Sequence, residues 1–236
     1  MDEDRAVWAT LHSGSRGVGN RIGMTYIKKA QEICEKNHVH LPDRDLAYLL
    51  EGTKQFDSYI RNMRWAQEFA LANREEMMDR FMSELATVVL GDHERFPELE
   101  LHRINSHHNF TTQEKHFGSS AWITRKGAIK ADVDDWAMIP GSMGTRSYIV
   151  KGKGHPMAFK SAPHGAGRRF SRGEARRRFT MVDFDTAMAG IEHRRTEVLL
   201  DEIPSAYKDI DEVMENAKDL VEVKAVLKQV LNVKGD

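Results

Sequence analysis

Apolar side chains in the first part of the chain recur at the spacing of an amphipathic helix. From Gln55 to Val89 they fall mostly three and four residues apart, which predicts one long helix with a buried face. Asn73 interrupts this stripe and leaves room for a local break or kink. A shorter helix is predicted from about Ile22 to Lys36, and the apolar run Ala6–Leu11 predicts a short buried strand before it.

The pattern changes after Gly91, where β-branched and aromatic runs alternate with glycine-containing turns. The predicted strands are Trp122–Thr124 and Ala128–Lys130, joined through 125–127, then Trp136–Ile139 and Tyr148–Val150. Helices return at 171–191, with a break around Thr180, and at 209–220, whereas residues 221–233 fit either a strand or a helix. Blocks of helices and strands without regular alternation predict an α+β fold class.

Composition narrows the class of protein without choosing a function. The chain has 236 residues, 40% hydrophobic and 30% charged, with a net charge of -1, so any site for a polyanion must be local. A single cysteine, Cys34, excludes an intramolecular disulfide and suits a reducing compartment, so we expect a cytoplasmic protein. The acidic start Met1–Arg5 does not resemble a signal peptide, and no apolar run is long enough for a membrane span.

A histidine and a glycine-rich loop follow the first predicted strand. His12 precedes Ser13–Asn20, which contains three glycines and Arg16, and a helix comes next. Glycines let backbone N–H groups approach an anion, and a helix N-terminus adds partial positive charge. The segment is therefore a candidate for binding an anion or a metal, and the alternative is a tight turn with a core histidine.

Two further polar segments are candidates for ligand binding. His107 and His108 are neighbours on an extended stretch, so at most one of them faces a given site, and Asn109 can donate or accept a hydrogen bond. Imidazole is a common metal ligand, although such a pair is often a surface feature without function. Residues 140–147 combine glycines, hydroxyl side chains and an arginine, which suits either a ligand-binding loop or a plain β-turn.

The segment around His164 is the strongest candidate for chemistry. Small residues follow this histidine, and six arginines lie between Arg168 and Arg178. Ser171 and Glu174 have the spacing of a capping box for the helix that carries the last three arginines. An open histidine beside an arginine cluster fits phosphate recognition, and the alternative is a solvated basic helix face.

Taken in order, these segments resemble the RtcB-type RNA ligases over essentially the whole chain from Val7 onward. The segments that carry the resemblance are Leu11–Gly17, His107–Asn109, Arg125–Ala128, Pro140–Gly144, His164–Arg168, Tyr207–Asp211 and Val233–Gly235. The resemblance implies a GTP- and Mn²⁺-dependent ligase. Such a ligase joins RNA 3'-phosphate or 2',3'-cyclic phosphate ends to 5'-hydroxyl ends through a histidine–GMP intermediate.

The resemblance also implies roles for individual residues. His164 matches the histidine that becomes guanylylated, and His12 and His108 match two manganese ligands. Lys234 matches the lysine that recognises guanine, and Tyr207 is placed beside the base. The remaining nucleotide contacts implied by the resemblance are Asn109, Pro140, Gly141, Ser142, Met143, Ser147, Gly165, Ala166 and Gly167.

Two elements of the family pattern are missing from this sequence. One is an Asp and Cys pair whose thiolate bridges two metal ions, and the other is a Gly-Asn-His-Phe stretch; Cys34 matches neither. The resemblance therefore implies one RtcB-like domain over 1–236, N-terminally truncated, with a helical insertion around 22–90 and a nucleotide-binding core at 100–236. A partner chain or a homo-oligomer would then cover the apolar surface left open.

Three functional alternatives follow. The chain is a ligase that acts on RNA with GTP, one half of a split ligase, or a catalytically incomplete fragment that binds guanine nucleotide or RNA. A histidine-based metal hydrolase is disfavoured because no carboxylate base lies at a recognisable spacing from the histidines.

Overall fold

The structure is a computed structural model that describes residues 6–234, and these residues divide into two compact units. One unit is formed by residues 10–105, and the other by residues 6–9 together with 106–234. The acidic start Met1–Arg5 and the glycine Gly235 of the last motif lie outside the described residues. Among residues 6–234, no helix combines the length and the apolar character needed to cross a bilayer.

Two helices form the first unit: α1 (Val18–Lys36) and α2 (Lys54–Leu90). Short 3-10 turns at Arg44–Leu46 and His93–Glu98 follow them. The Thr53 side chain caps the start of α2, and Gly91, with φ of 75°, ends it in the left-handed conformation that glycine adopts readily. The residues buried on the two helices are mostly small, which allows close packing: Ala30, Cys34, Ile60, Ala66, Ala70, Met82 and Ala86.

The long helix is confirmed, but three details of the prediction are wrong. Helix α1 begins at Val18 rather than near Ile22. Helix α2 is continuous through Asn73, so no break forms there. The predicted strand Ala6–Leu11 is irregular, because a strand needs a neighbour for its backbone ladder and none pairs with this stretch within the described chain.

The second unit contains four small sheets and three short helices. β1 (Asn109–His116) and β2 (Ser119–Lys126) form a hairpin, and β3 (Ala128–Lys130) pairs with β6 (Ser161–Pro163). β4 (Trp136–Ile139), β5 (Ser147–Gly152) and β8 (Val221–Leu227) form a three-stranded antiparallel sheet, and β7 (Glu192–His193) pairs with β9 (Leu231–Asn232). The helices are α3 (Arg172–Arg178), α4 (Met181–Ala187) and α5 (Ile210–Asn216).

The α+β fold class is confirmed, and most predicted elements of this unit are found. Thr180 separates α3 from α4 because its side chain and that of Asp183 form a capping box. Residues 221–227 form a strand, so the helical alternative for this stretch is wrong. The predicted helix at 209–220 ends at Asn216. The strands β2 and β3 follow each other along the chain but lie in different sheets.

Two apolar clusters support the second unit. The first packs the β4–β5–β8 sheet against α5 and includes Ile129, Ile139, Val150, Met214 and Val221. The second packs α3 and α4 against the 3-10 turn Glu197–Glu202 and includes Met143, Ala175, Phe184, Met188 and Ile203.

A buried arginine fixes the end of the β1–β2 hairpin. Arg125, 2% exposed, donates two hydrogen bonds to the Glu114 carboxylate, at 2.6 and 3.0 Å. Its Nε donates to Ser161 Oγ at 2.9 Å, and Nη2 donates to the Phe159 carbonyl at 2.9 Å. These bonds tie β2 to the strand β6, and so they fix the position of the next residues, Lys126 and Gly127.

Candidate active site

Two histidines meet at Gly127 because of the register of two sheets. In the β1–β2 hairpin, Asn109 at the start of β1 lies opposite Lys126 at the end of β2, and His108 is the residue before Asn109. In the β3–β6 pair, Ala128 at the start of β3 lies opposite Pro163 at the end of β6, and His164 is the residue after Pro163. Gly127 stands between β2 and β3, and the ends of β1 and β6 both reach it.

Backbone and side-chain hydrogen bonds hold this junction. The Ala128 N–H donates to the His108 carbonyl at 3.2 Å, and the His164 N–H donates to the Gly127 carbonyl at 3.3 Å. The Gly127 N–H donates to Asn109 Oδ1 at 3.0 Å. Asn109 therefore fixes the junction with its carbonyl oxygen.

The imidazole rings of His108 and His164 stack on each other. Their centroids are 4.5 Å apart and their planes differ by 24°. The ring of His107 contacts Phe110 instead, at 5.8 Å, as expected for neighbours on an extended stretch. Both stacked histidines are half-buried.

Gly127 makes room for this stack. A Cβ atom at this position would lie 3.3 Å from both Cε1 and Nδ1 of the His164 ring, and φ of Gly127 is 67°. A side chain here would both strain the backbone and displace the ring. Gly127 belongs to a segment that carries the family resemblance, but sequence analysis assigned it no role.

The predicted nucleotide loop, residues 140–147, is held in shape by its own polar groups and by the side chain of Gln229. The Gly141 N–H donates to Ser147 Oγ at 3.2 Å, and Gln229 Nε2 donates to the carbonyl oxygens of Ser142 and Thr145 at 2.8 and 3.0 Å. A Cβ at Gly141 would lie 2.0 Å from the Arg146 carbonyl oxygen, so only glycine fits there.

This loop also lies beside the segment after His164. A Cβ at Gly165 would come within 3.1 Å of the Pro140 carbonyl oxygen, so the two backbones nearly touch. The side chains of Met143 and Ala166 are buried in the two apolar clusters, and only their backbones can face a ligand. Gly167 adopts φ of 73°, and its carbonyl accepts from the Lys208 N–H at 3.0 Å.

Next to this segment, the buried carboxylate of Glu202 contacts the side chains of three candidate residues, Arg168, Tyr207 and Lys234. Glu202 is 9% exposed, and its Oε2 lies 2.7 Å from Lys234 Nζ. The Tyr207 hydroxyl donates to the same oxygen and accepts from Arg168 Nη1 at 2.7 Å. The Arg168 guanidinium also covers one face of the Tyr207 ring, at 4.8 Å from its centroid.

The electrostatics of this cluster follow from burial and pairing. Burial raises the pKa of Glu202, but the hydrogen bonds from Lys234 and Tyr207 outweigh it and hold that pKa below its usual value. Burial and the bond to Glu202 raise the pKa of Tyr207 to about 12. Near neutral pH the carboxylate is therefore charged and the Tyr207 hydroxyl keeps its proton.

The arginine-rich helix α3 is only partly available for phosphate. Arg176 Nη2 lies 3.1 Å from Asp201 Oδ1, and Arg172 lies near both Asp201 and Glu202, at 3.6 and 3.5 Å. Asp201 is itself 4% exposed. These two arginines therefore compensate buried carboxylates, and sequence analysis missed this because both partners lie more than 20 residues further along the chain.

The other arginines of this region are more exposed. Arg178 pairs with Glu174 at 3.5 Å and covers the Phe170 ring at 4.3 Å. Arg169 and Arg177 are exposed, and among the described residues neither has an ion pair or a side-chain hydrogen bond. These two side chains are the ones best placed to meet an added phosphate.

The predicted metal ligands do not form a complete site in the described chain. His12 belongs to the unit of residues 10–105, and His108 to the other unit. No three His, Cys, Asp or Glu side chains among residues 6–234 come together as a metal site. Cys34 is buried on α1, and its Sγ lies 3.8 Å from the Tyr48 carbonyl oxygen. Two imidazoles alone suit Mn²⁺ poorly, because it prefers oxygen ligands.

A family profile described as tRNA-splicing ligase RtcB matches residues 1–235, and the chain therefore belongs to the RtcB family.

Individual relatives agree with this assignment. The chain is 46% identical to the RNA-splicing ligase RtcB of Escherichia coli K12 over 235 residues, which is 100% of this chain and 58% of the relative. It is 34% identical to the tRNA-splicing ligase RtcB of Pyrobaculum aerophilum over 253 residues, covering 97% of this chain and 52% of the relative. The chain thus spans little more than half the length of these relatives.

Proposed function

We propose that this chain carries the nucleotide-transfer histidine of an RtcB-type RNA ligase. The activity is the joining of an RNA 3'-phosphate or 2',3'-cyclic phosphate end to a 5'-hydroxyl end, with GTP as the source of activation. The observation that supports it most directly is the stack of His164 on His108 at Gly127, in a chain that matches the family over nearly its whole length.

In the proposed reaction a ring nitrogen of His164 attacks the α-phosphorus of GTP. A nitrogen–phosphorus bond forms, the bond to pyrophosphate breaks, and the imidazole proton is lost to solvent. Neutral imidazole is a competent nucleophile near pH 7. A 2',3'-cyclic phosphate end must first be opened by water to a 3'-phosphate. The RNA 3'-phosphate then takes GMP from the histidine. The 5'-hydroxyl attacks that activated phosphate, a phosphodiester bond forms, GMP leaves, and the hydroxyl proton is lost to solvent.

The polar loops of the second unit would hold the nucleotide. Backbone groups of Gly141, Ser142 and Gly165–Gly167 lie in segments that adjoin His164, and Asn109 borders the same junction. Lys234 donates to Glu202, but an ammonium group has three N–H donors, so it can bind guanine and Glu202 together. Tyr207 would then border the base on the ring face opposite Arg168.

The metal site is the part of the family chemistry that residues 6–234 do not complete by themselves. Mn²⁺, when bound, would neutralise phosphate charge, with His12 and His108 among its ligands. Among residues 6–234, no three His, Cys, Asp or Glu side chains are grouped so that they could hold a metal ion. This favours, as the second candidate, a polypeptide that binds nucleotide or RNA here and needs another chain, or a second copy, for catalysis.

Labelling with GTP distinguishes these candidates. The chain is incubated with α-³²P-labelled GTP and Mn²⁺, as wild type and as His164→Ala, with and without the portion of an RtcB relative that this chain does not match. We expect label on the wild-type chain and none on the variant. Label only with the added portion indicates a split ligase, and no label under either condition contradicts the proposal.

A further inference from the structure

Helix α2 contacts the loop that carries His12 through two adjacent side chains. Asn73 Nδ2 donates to Ser13 Oγ at 3.2 Å and to the Gly14 carbonyl at 3.3 Å. Arg74 Nη1 donates to the Ser13 carbonyl at 3.3 Å. All these residues belong to the unit of residues 10–105.

A second layer of polar contacts fixes Arg74. Its Nε donates to Asn105 Oδ1 at 2.6 Å, and the Asn105 amide donates in turn to the carboxylate of Glu75. Arg103 donates to the other oxygen of Glu75 at 2.8 Å. The guanidinium is therefore aimed at the loop by a network that joins α2 to residues 103–105.

The loop fixes only its end next to α1, where Ser15 accepts hydrogen bonds from the N–H groups of Val18 and Gly19. Gly14 has open space around the position of a Cβ, Arg16 and Gly17 have positive φ values of 49° and 88°, and Ser15 is used to bind the Gly19 N–H. Local sequence therefore leaves the Ser13 and Gly14 carbonyls to be oriented from outside, and α2 supplies the donors. Asn73 lies inside a helix, where its type is unfavourable, and its contacts to this loop are the compensating interaction.

We propose that Asn73 and Arg74 are positioning residues that hold the His12 loop in the conformation the ligase needs. Neither residue is assigned to the chemistry itself. The inference rests on the proposed function for what His12 does, whereas the anchoring of the loop stands on the geometry alone.

The test measures the loop and the chemistry separately in the 236-residue chain. The variants are Asn73→Ala, Arg74→Ala and Arg74→Lys, with Arg80→Ala as the matched control, because Arg80 is an exposed arginine of the same helix paired only with Glu76 in the described structure. Hydrogen exchange of the backbone amides of residues 13–19 measures how firmly the loop is held. The NMR signal of the His12 ring reports the environment of that ring, and GMP labelling measures the proposed reaction.

We expect exchange at residues 13–19 to become about tenfold faster in Asn73→Ala and Arg74→Ala. The His12 ring signal should shift in both, with Arg74→Lys intermediate and Arg80→Ala unchanged. If Arg74→Ala does not fold, Asn73→Ala still tests the proposal, because it leaves the hydrogen bonds between Arg74 and Asn105 intact.

Two outcomes overturn the proposal. One is unchanged exchange and an unchanged His12 signal in Asn73→Ala and Arg74→Lys. The other is normal GMP labelling in the Asn73 and Arg74 variants when His12→Ala abolishes labelling, because the reaction would then need His12 but not its anchoring. Normal labelling in His12→Ala points instead to an error in the role proposed for His12.

Discussion

Substitution of Gly127 tests the geometry at the centre of the site. Gly127→Ala places a methyl group 3.3 Å from two atoms of the His164 ring and forces an L-residue to adopt φ of 67°. The backbone strain costs about 1–2 kcal/mol. For a chain of this size that corresponds to a fall in Tm of roughly 2–4 °C per kcal/mol. The methyl group adds a second effect, because the ring must move by a few tenths of an ångström.

The chain provides a matched control for the strain. Gly118, in the turn of the β1–β2 hairpin, has φ of 82° and nothing within 4 Å of the position of a Cβ. Gly118→Ala therefore carries a similar backbone cost without a steric contact. The difference between the two variants isolates the effect of the methyl group on His164.

The assays are thermal denaturation, the histidine ring signals in NMR, and the rate of GMP labelling. We expect similar losses of Tm in both variants, but only Gly127→Ala should shift the His108 and His164 signals. It should also slow labelling by roughly tenfold, because small displacements of a nucleophile are costly. Equal effects of Gly118→Ala and Gly127→Ala on the His164 signal would refute this reasoning.

Three further predictions concern the buried charges and the arginines. Glu202→Gln should lower the free energy of unfolding at pH 7 by about 3 kcal/mol. The pKa of the Glu202 carboxyl is lower in the folded than in the unfolded protein, so its ionised form stabilises the fold at any pH above the unfolded pKa. In an acid titration this stabilisation should be lost as the pH falls through the pKa of the folded state. Arg125→Lys should cost about 3 kcal/mol in urea denaturation, since lysine cannot reproduce the bidentate bond to its carboxylate partner, whereas the exposed Arg178→Lys should cost little. Arg177→Ala should reduce the slope of log binding constant for RNA against log salt concentration by about 0.7, without a change in Tm. Arg176→Ala should mainly lower Tm, because Arg176 pairs with the buried Asp201. The reverse result would contradict the roles assigned to these two arginines.

The candidate residues of the site can be chosen from the sequence, whereas their arrangement cannot. His108 and His164 stand out by their neighbours along the chain, but their stacking depends on two strand registers that meet at Gly127. Long-range pairing of this kind has no local signature. The same applies to Glu202, which gathers Tyr207 and Lys234 although no motif marks it.

The fold shows a similar division between local and distant effects. Helix α2 could be predicted because its stripe repeats over many turns. The poor helix propensity of Asn73 predicts a break, but its side chain binds a loop that lies about 60 residues earlier in the sequence, and the helix continues. The run Ala6–Leu11 has the residues of a strand, but a partner strand decides whether such a run becomes one.

The most direct test of the account is to locate the nucleotide on the protein. The protein is incubated with GTP and Mn²⁺, and the portion of an RtcB relative that this chain does not match is added if the chain alone is not labelled. The protein is then digested, and the GMP-bearing peptide is sequenced by mass spectrometry. The account predicts a GMP adduct on a ring nitrogen of His164, absent from His164→Ala. An adduct on another residue, or one that persists in His164→Ala, would contradict it.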